Sequence, residues 1–485
     1  MKRILAWFEA RLSLRDSLGP MLTHPIPRGA AGPLGWWYVF GSASMTLLLI
    51  QILSGIALAL VYVPTADQAY ETLVYLNYHQ PAGWFLRSLH YWSGSAMVFM
   101  VVAHMVQVFL YGAFKYPREL NWVSGVVLLL LTLGMAFTGQ VLRWDADAYW
   151  GVGVGASMAG RMPWLGPYVV DLLLGGPLIG ADSLSRFFAL HVFIVPGLLL
   201  AVLAVHLWLV LKRGISAPPV PGQIVDPQTY QREYEKDLHT HGVPFFGPAM
   251  LKDALFSALT VIAILVLAAV AGPKGPGALP EPALLGANPK PDWPFWWLFA
   301  LLSLSPPSWE TFIILVLPVL LIAALLLVPF VSNRGERAPS RRPVAVLSLI
   351  LVFSILAVLT YYGATQPWSP VMDAWSRDAV PEDLVQRSTP LQLQGALVFQ
   401  NKQCRNCHAL QGRGGRRGPD LTQVGIRLTR DQLIDQVSNG TPGGGDMPAY
   451  GKQMKPAEMG ALAEFLVHLR PPGQGPARPA AAARP

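Results

Sequence analysis

Four histidines lie in two apolar stretches of the chain, His90 with His104 and His191 with His206. The first pair is 14 residues apart and the second 15. At ~100° per residue both steps come to about four helical turns, so each pair stays on one helix face with its members roughly 21–22 Å apart. That separation suits one imidazole near each side of a bilayer. Ionisable side chains at membrane depth are costly and mark function. Two such helices facing one another would clamp two stacked haems across a membrane. A neutral imidazole on each side makes the iron six-coordinate, which leaves no position for substrate and suits electron transfer. A helix-packing hydrogen bond is the alternative for any single histidine. Four at matching spacings argue for haem.

Glycines repeat the same step. Gly41 and Gly55 are 14 residues apart, as are Gly125 and Gly139. Missing side chains at those heights would let a flat porphyrin approach the backbone; small-residue helix packing is the alternative. Arg87 and Arg186 stand three and five residues before His90 and His191. They could pair with haem propionates or snorkel to the interface. The two cysteines of the chain, Cys404 and Cys407, form a C-x-x-C-H string with His408. In such a string two thioethers fix a porphyrin and the histidine ligates iron. Met447, in GGGDMPAYG, is the expected sixth ligand, and Met454 is the alternative. Zinc or thiol redox chemistry is the other reading, weakened by the lack of a second ligand pair.

These residues need a membrane scaffold, and the composition supplies one. Of 485 residues 53% are hydrophobic and only 13% charged, and the mean hydropathy is +0.40. Soluble domains carry roughly 25% charge. The formal charge of +8 does not indicate nucleic acid, because the basic residues alternate between loops and form no single soluble patch. Seven stretches are long enough to span, at about 36–63, 84–112, 121–142, 187–211, 253–272, 308–331 and 344–362. Alternate loops hold sixteen Lys and Arg, among them Lys115, Arg118, Arg337 and Arg342, against five on the other side. The positive-inside rule then places the N-terminus in the cytoplasm and the C-terminus outside. With the second and fourth spans both running inward, His90 pairs with His191 near the outer face and His104 with His206 near the inner. The opening MKRILAWFEARLSLRDSL reads as a basic amphipathic surface segment and not as a signal peptide. PLQLQGALVFQNKQ and PAEMGALAEFLVHLR read as helices before and after the C-x-x-C-H loop, Gly395 and Phe399 sharing one face. Residues 471–485 read as disordered.

The strings RSLHYWSGSAMVFMVVAHM, KYPRELNWVSGVVLLLLTLGMAFTG and SRFFALHVFIVPGLLLAVLAVH resemble cytochrome b of the cytochrome bc complexes. The 15-residue step is similar to the short, chloroplast and Firmicutes type. The last three spans resemble the separate subunit IV of that type, here fused. The resemblance covers about residues 20–362. The segment around Cys404 resembles class I cytochrome c. The fold these likenesses imply is all-α, a seven-transmembrane-helix cytochrome b bundle with a C-terminal soluble cytochrome c domain. Its parts would be an N-terminal segment (1–33), a di-haem four-helix bundle (34–215), a subunit IV-like region (216–362), a linker (363–388), the cytochrome c domain (389–470) and the tail.

The resemblance also implies an activity, that of a quinol:cytochrome c oxidoreductase subunit in a bacterial respiratory chain. Its cofactors would be two non-covalent haem b and one covalent haem c, and its substrate quinol. Its partners would be a separate Rieske iron–sulfur protein, a cytochrome c or terminal oxidase as acceptor, the lipid bilayer and a second copy of the chain. The family's P-E-W-Y motif at the quinol-oxidation site corresponds to Pro291-Asp292-Trp293-Pro294. Asp292 would take a quinol proton there, one methylene shorter than the usual glutamate, and Pro294 replaces the tyrosine. From the residues alone, Trp293, Trp296 and Trp297 read as an interfacial aromatic belt. Val39 stands where short-type members carry a cysteine that anchors an extra haem, and it cannot form a thioether. Lys212, Arg213 and Arg28 are candidates for an inner quinone site, or ordinary positive-inside charge. The rival function is a di-haem membrane anchor passing electrons between a dehydrogenase or hydrogenase and quinone; a transporter is a third reading, opposed by the haem ligands.

Overall fold

The computed structural model describes residues 2–13, 23–175, 179–280, 290–365, 379–402, 404–406, 408–414, 418–440, 447 and 449–471. Residues 366–378 of the linker, the tail from residue 472 and Cys407 lie outside them. Among the described residues seven helical segments are long and apolar enough to cross a membrane. They are Pro33–Ala59, Gly83–Leu110, Glu119–Val141, Ala181–Arg213, Pro248–Val270, Ser308–Val331 and Pro343–Thr365, numbered here as spans one to seven. Each expected stretch finds one. Short helices that a span-length reading does not anticipate fill the connections, such as Ala69–Tyr78 and Gly166–Leu174.

The chain forms two compact units. The first holds residues 1–152, 167–279 and 316–357. In it span one packs on span two and span three on span four. Leu47, Met97, Leu199 and Ile264 bring spans one, two, four and five to one buried cluster, edged by Leu128, Leu131 and Met135 of span three. Lipid is as apolar as leucine, so such contacts rest on close packing and interhelical hydrogen bonds. Ser88 donates to the Ala268 carbonyl at 2.8 Å, Trp122 to Leu325 at 2.6 Å and Gln51 to His90 at 2.6 Å. Gly214, at φ 65°, ends span four in a backbone region that favours glycine.

Span four is not a uniform α-helix. Residues Leu190–Ile194, which include His191, form a π-turn closed by the Val195 N–H on the Leu190 carbonyl. Pro196 follows and has no N–H to continue the α pattern. A π-turn absorbs one extra residue. The 15-residue step between His191 and His206 thereby comes into phase with the 14-residue step of span two.

The second unit holds residues 153–166, 280–315 and 358–485. Arg161, just past helix Ala146–Gly160, pairs with Glu310 at the start of span six at 2.6 Å. Toward the C-terminus, helices Pro390–Asn401 and Arg430–Asn439 begin with Thr389 and Thr429, each in a capping box with a glutamine. Helix Pro456–His468 packs on the first of these where Gly395 meets the Ala461 carbonyl, and Phe399 and Phe465 rings sit 5.7 Å apart.

Candidate functional site

Spans two and four bring the histidines together in the expected pairs. The His90 and His191 ring centroids are 6.3 Å apart with planes crossing at 78°. Two metal–imidazole bonds of about 2 Å, with the two ring radii, span roughly 6 Å. The pair therefore has room for one iron between its ring nitrogens. His104 and His206 lie within electrostatic range of each other.

Every histidine also meets one of the four glycines. A Cβ would lie 3.4 Å from His104 Cε1 at Gly41, 3.2 Å from His90 Cε1 at Gly55, 3.7 Å from His206 Cε1 at Gly125 and 2.7 Å from His191 Cε1 at Gly139. The glycines thus make room first for the imidazoles that point into the two sites.

The residue before three of these glycines is a hydroxyl, and it sets the ring. Ser54 Oγ is 2.9 Å from His90 Nδ1, Ser124 Oγ 2.8 Å from His206 Nδ1 and Thr138 Oγ1 3.0 Å from His191 Nδ1. Each hydroxyl gives its one proton to a carbonyl of its own helix, at Ile50 (2.6 Å), Leu120 (2.8 Å) and Gly134 (2.8 Å). It can then only accept from the imidazole, so Nδ1 carries the proton and Nε2 presents a lone pair. That is the tautomer an iron ligand needs. At the fourth position Phe40 precedes Gly41, and His104 Nδ1 has no hydrogen-bond partner among the described residues. Paired imidazoles, a fixed tautomer at three of the four and cleared backbone fit a haem at each pair.

The other expected residues are placed differently. Arg87 gives its guanidinium to Asn77 Oδ1, to the Gly275 carbonyl at 3.0 Å and to the Lys274 carbonyl at 3.1 Å. Arg186 caps the carbonyls of Asp171 (2.6 Å) and Leu172 (2.5 Å). Asp292 is half-buried just before the short helical turn Trp293–Phe295, where its carbonyl accepts the Phe295 N–H at 3.0 Å. Trp296 donates to the Pro291 carbonyl at 2.8 Å. In the second unit Cys404, His408, Met447 and Met454 line one cavity with Phe399 and Leu421. His408 Nδ1 lies 2.9 Å from the Pro419 carbonyl, and burial holds its imidazole below the ordinary range.

Residues 28–214 match the family model Cytochrome b/b6/petB. The chain is 35% identical over 362 residues to the cytochrome bc complex cytochrome b subunit of Chlorobaculum thiosulfatiphilum, covering 74% of this chain and 80% of that one. It is 36% identical over 212 residues to cytochrome b6 of Prochlorococcus marinus (strain NATL1A), which is 44% of this chain and 95% of that one. The solved structure of a hyperthermophilic respiratory Complex III shares the fold, with a TM-score of 0.60 at 24% identity over 82% of this chain and 96% of that chain.

Residues 391–466 match a different model, Cytochrome C oxidase, cbb3-type, subunit III. This corrects the class I cytochrome c assignment, and with it the part of the expected fold that made residues 389–470 a cytochrome c domain. Among the described residues no group of three or more His, Cys, Asp or Glu could hold a metal ion. The covalent haem c on Cys404 and Cys407, its ligation by His408 and Met447, and the electron step through it are withdrawn. The all-α bundle of seven spans stands. The bc-complex relative, matched across most of both chains, also sets aside the di-haem anchor and the transporter. This chain belongs to the family of cytochrome b subunits of the cytochrome bc complexes, multi-pass membrane proteins of respiratory electron transport.

Proposed function

We propose that this chain oxidises quinol at the outer face of a bacterial cytoplasmic membrane, carrying electrons inward through two non-covalent b haems and so contributing to a proton gradient. The observation that carries the reading is the set of two histidine pairs, each with its glycines and three with a tautomer-fixing hydroxyl. When bound, the haems supply reversible one-electron transfer. The chain's own part is to hold Nε2 of His90 and His191 toward one iron and of His104 and His206 toward the other. The Lys and Arg excess in alternate loops supports an N-terminus inside, and the odd number of spans among the described residues supports residues 389–470 outside. Arg87 and Arg186 serve the outer haem's propionates, exchanging backbone carbonyls for carboxylates.

Asp292 takes a quinol proton. Its half-buried carboxylate lies just ahead of the apolar helix Trp296–Leu304, beside Trp293, where a quinone ring could dock. The partners of this reading are a separate Rieske iron–sulfur protein, a cytochrome c or terminal oxidase as acceptor, and a second copy of the chain. Steady-state quinol:cytochrome c reduction by the purified complex tests it. Asp292→Asn should slow turnover at least tenfold with both b haems retained, and Asp292→Glu should keep activity. Unchanged turnover in Asp292→Asn would assign the proton to another group.

A further inference from the structure

Span seven, Pro343–Thr365, buries none of its residues, and its last turn makes one close approach. A Cβ at Gly363 would collide with the Trp296 carbonyl oxygen and lie 2.7 Å from Trp296 Cβ. A glycine is what lets the two backbones meet there. At the next residue the Ala364 carbonyl accepts a hydrogen bond from Lys290 Nζ at 3.2 Å. The turn thus touches residues 290–296 at both ends. Asp292 lies between the two points. Trp296 Nε1 donates to the Pro291 carbonyl at 2.8 Å, in the peptide just before Asp292. The Phe295 N–H donates to the Asp292 carbonyl at 3.0 Å, in the peptide just after it. Pro291 is buried and Trp296 half-buried. Trp296 is the middle link, its backbone against Gly363 and its indole N–H on the peptide that leads into Asp292.

We propose that Gly363 and Trp296 are positioning residues for Asp292, the last turn of span seven being the seat from which the acid of the outer quinol site is aimed. The proposal rests on the reading of Asp292 as the acceptor of a quinol proton. A base takes a proton only within ~2.6–3.2 Å of the donor, and a misplacement of about 1 Å caused away from the chemistry can cost much of the rate. Here both peptides flanking Asp292 are held, and one of the two restraints runs through Trp296 to span seven. A side chain at position 363 would push Trp296 away and turn the Asp292 backbone with it. Hydropathy assigns span seven to lipid alone. The seat gives its last turn a part in the site.

The test is a double-mutant cycle read by steady-state quinol:cytochrome c reduction in the full complex, with a pyridine haemochrome count in parallel. Gly363→Ala and Trp296→Phe should each lower kcat about fivefold, the worth of roughly one hydrogen bond. KM for quinol and both b haems should be kept, because the acid acts in the chemical step. In the Asp292→Asn background no base remains to be aimed, so neither change should slow turnover further. Unchanged turnover in Asp292→Asn itself would end the Asp292 reading, and the seat with it. A slow Asp292→Asn beside an unchanged kcat in either single variant overturns the seat alone. So does a loss repeated in full in the Asp292→Asn background, or a raised KM at unchanged kcat, since damage that does not act through Asp292 gives those results. If Gly363→Ala loses haem, Trp296→Phe decides, because it keeps an aromatic ring and removes the N–H: a loss absent from the Asp292→Asn background supports the seat, and one that persists there overturns it.

Discussion

Each imidazole of the two pairs meets a glycine, and three of the four meet a hydroxyl one residue earlier. The hydroxyl pulls on the Nδ1 proton and makes Nε2 a stronger donor, which favours ferric iron. Thr138→Val should therefore raise the potential of the His90–His191 haem by the worth of about one hydrogen bond, ~1 kcal/mol. Redox titration reads this directly, and an unchanged or lowered potential would contradict it. Gly139→Ala is harsher, because its Cβ would sit 2.7 Å from His191 Cε1. Loss of that haem with the other retained is the expected spectrum; two intact haems would show that the ring can give way. The histidines and glycines were legible in the sequence because a four-turn repeat is rare in an apolar run. The hydroxyls were not. A Ser or Thr in a helix ordinarily bonds the carbonyl four residues back, and these three do so as well. Their sideways contact with a ring on another helix appears only when the helices are assembled. At residues 389–470 the Cys404-Arg-Asn-Cys407-His408 string, its two flanking helices and Met447 point to a class I cytochrome c domain, and the match of 391–466 to the cbb3-type subunit III model corrects that reading.

The spans themselves follow from hydropathy, and all seven were legible. Two features of these helices were not. The π-turn at Leu190–Ile194 is a local answer to a 15-residue step and Pro196, and no periodicity argument forecasts where an extra residue is absorbed. The second is the use of basic residues as helix caps. Arg342 donates to the carbonyls of Phe109 (2.7 Å) and Leu110 (3.1 Å) at the end of span two, and lies over the Phe109 and Phe114 rings. Arg118 does likewise for the end of span four, through Arg213, Gly214 and Ile215. Charge counting assigns these residues to a side of the membrane but not to a carbonyl. A cation at a helix C-terminus satisfies open carbonyls and opposes the dipole. Arg342→Ala should cost about 1.5–3 kcal/mol and lower the melting temperature in detergent; Arg342→Lys should recover part of it. An unchanged melting temperature in Arg342→Ala would reduce the cap to a surface contact.

The whole molecule brings two pairs of imidazoles together within a bundle of membrane spans, and each pair is the proposed seat of one iron. In the first unit the spans and the pairing of the histidines were legible, since bilayer thickness, helix rise and histidine spacing constrain one another. The C-terminal unit was less so, because a helical segment with one thiol-rich string admits several families. The central claim is that the four histidines hold two separate b haems. The most direct measurement is a pyridine haemochrome count and redox titration of the purified chain beside its His206→Ala and His191→Ala variants. The account predicts two b haems per chain, titrating in two steps. Each variant should lose one step, a different one in each case, and keep the other. One b haem in the unaltered chain, or the same step lost from both variants, would contradict it.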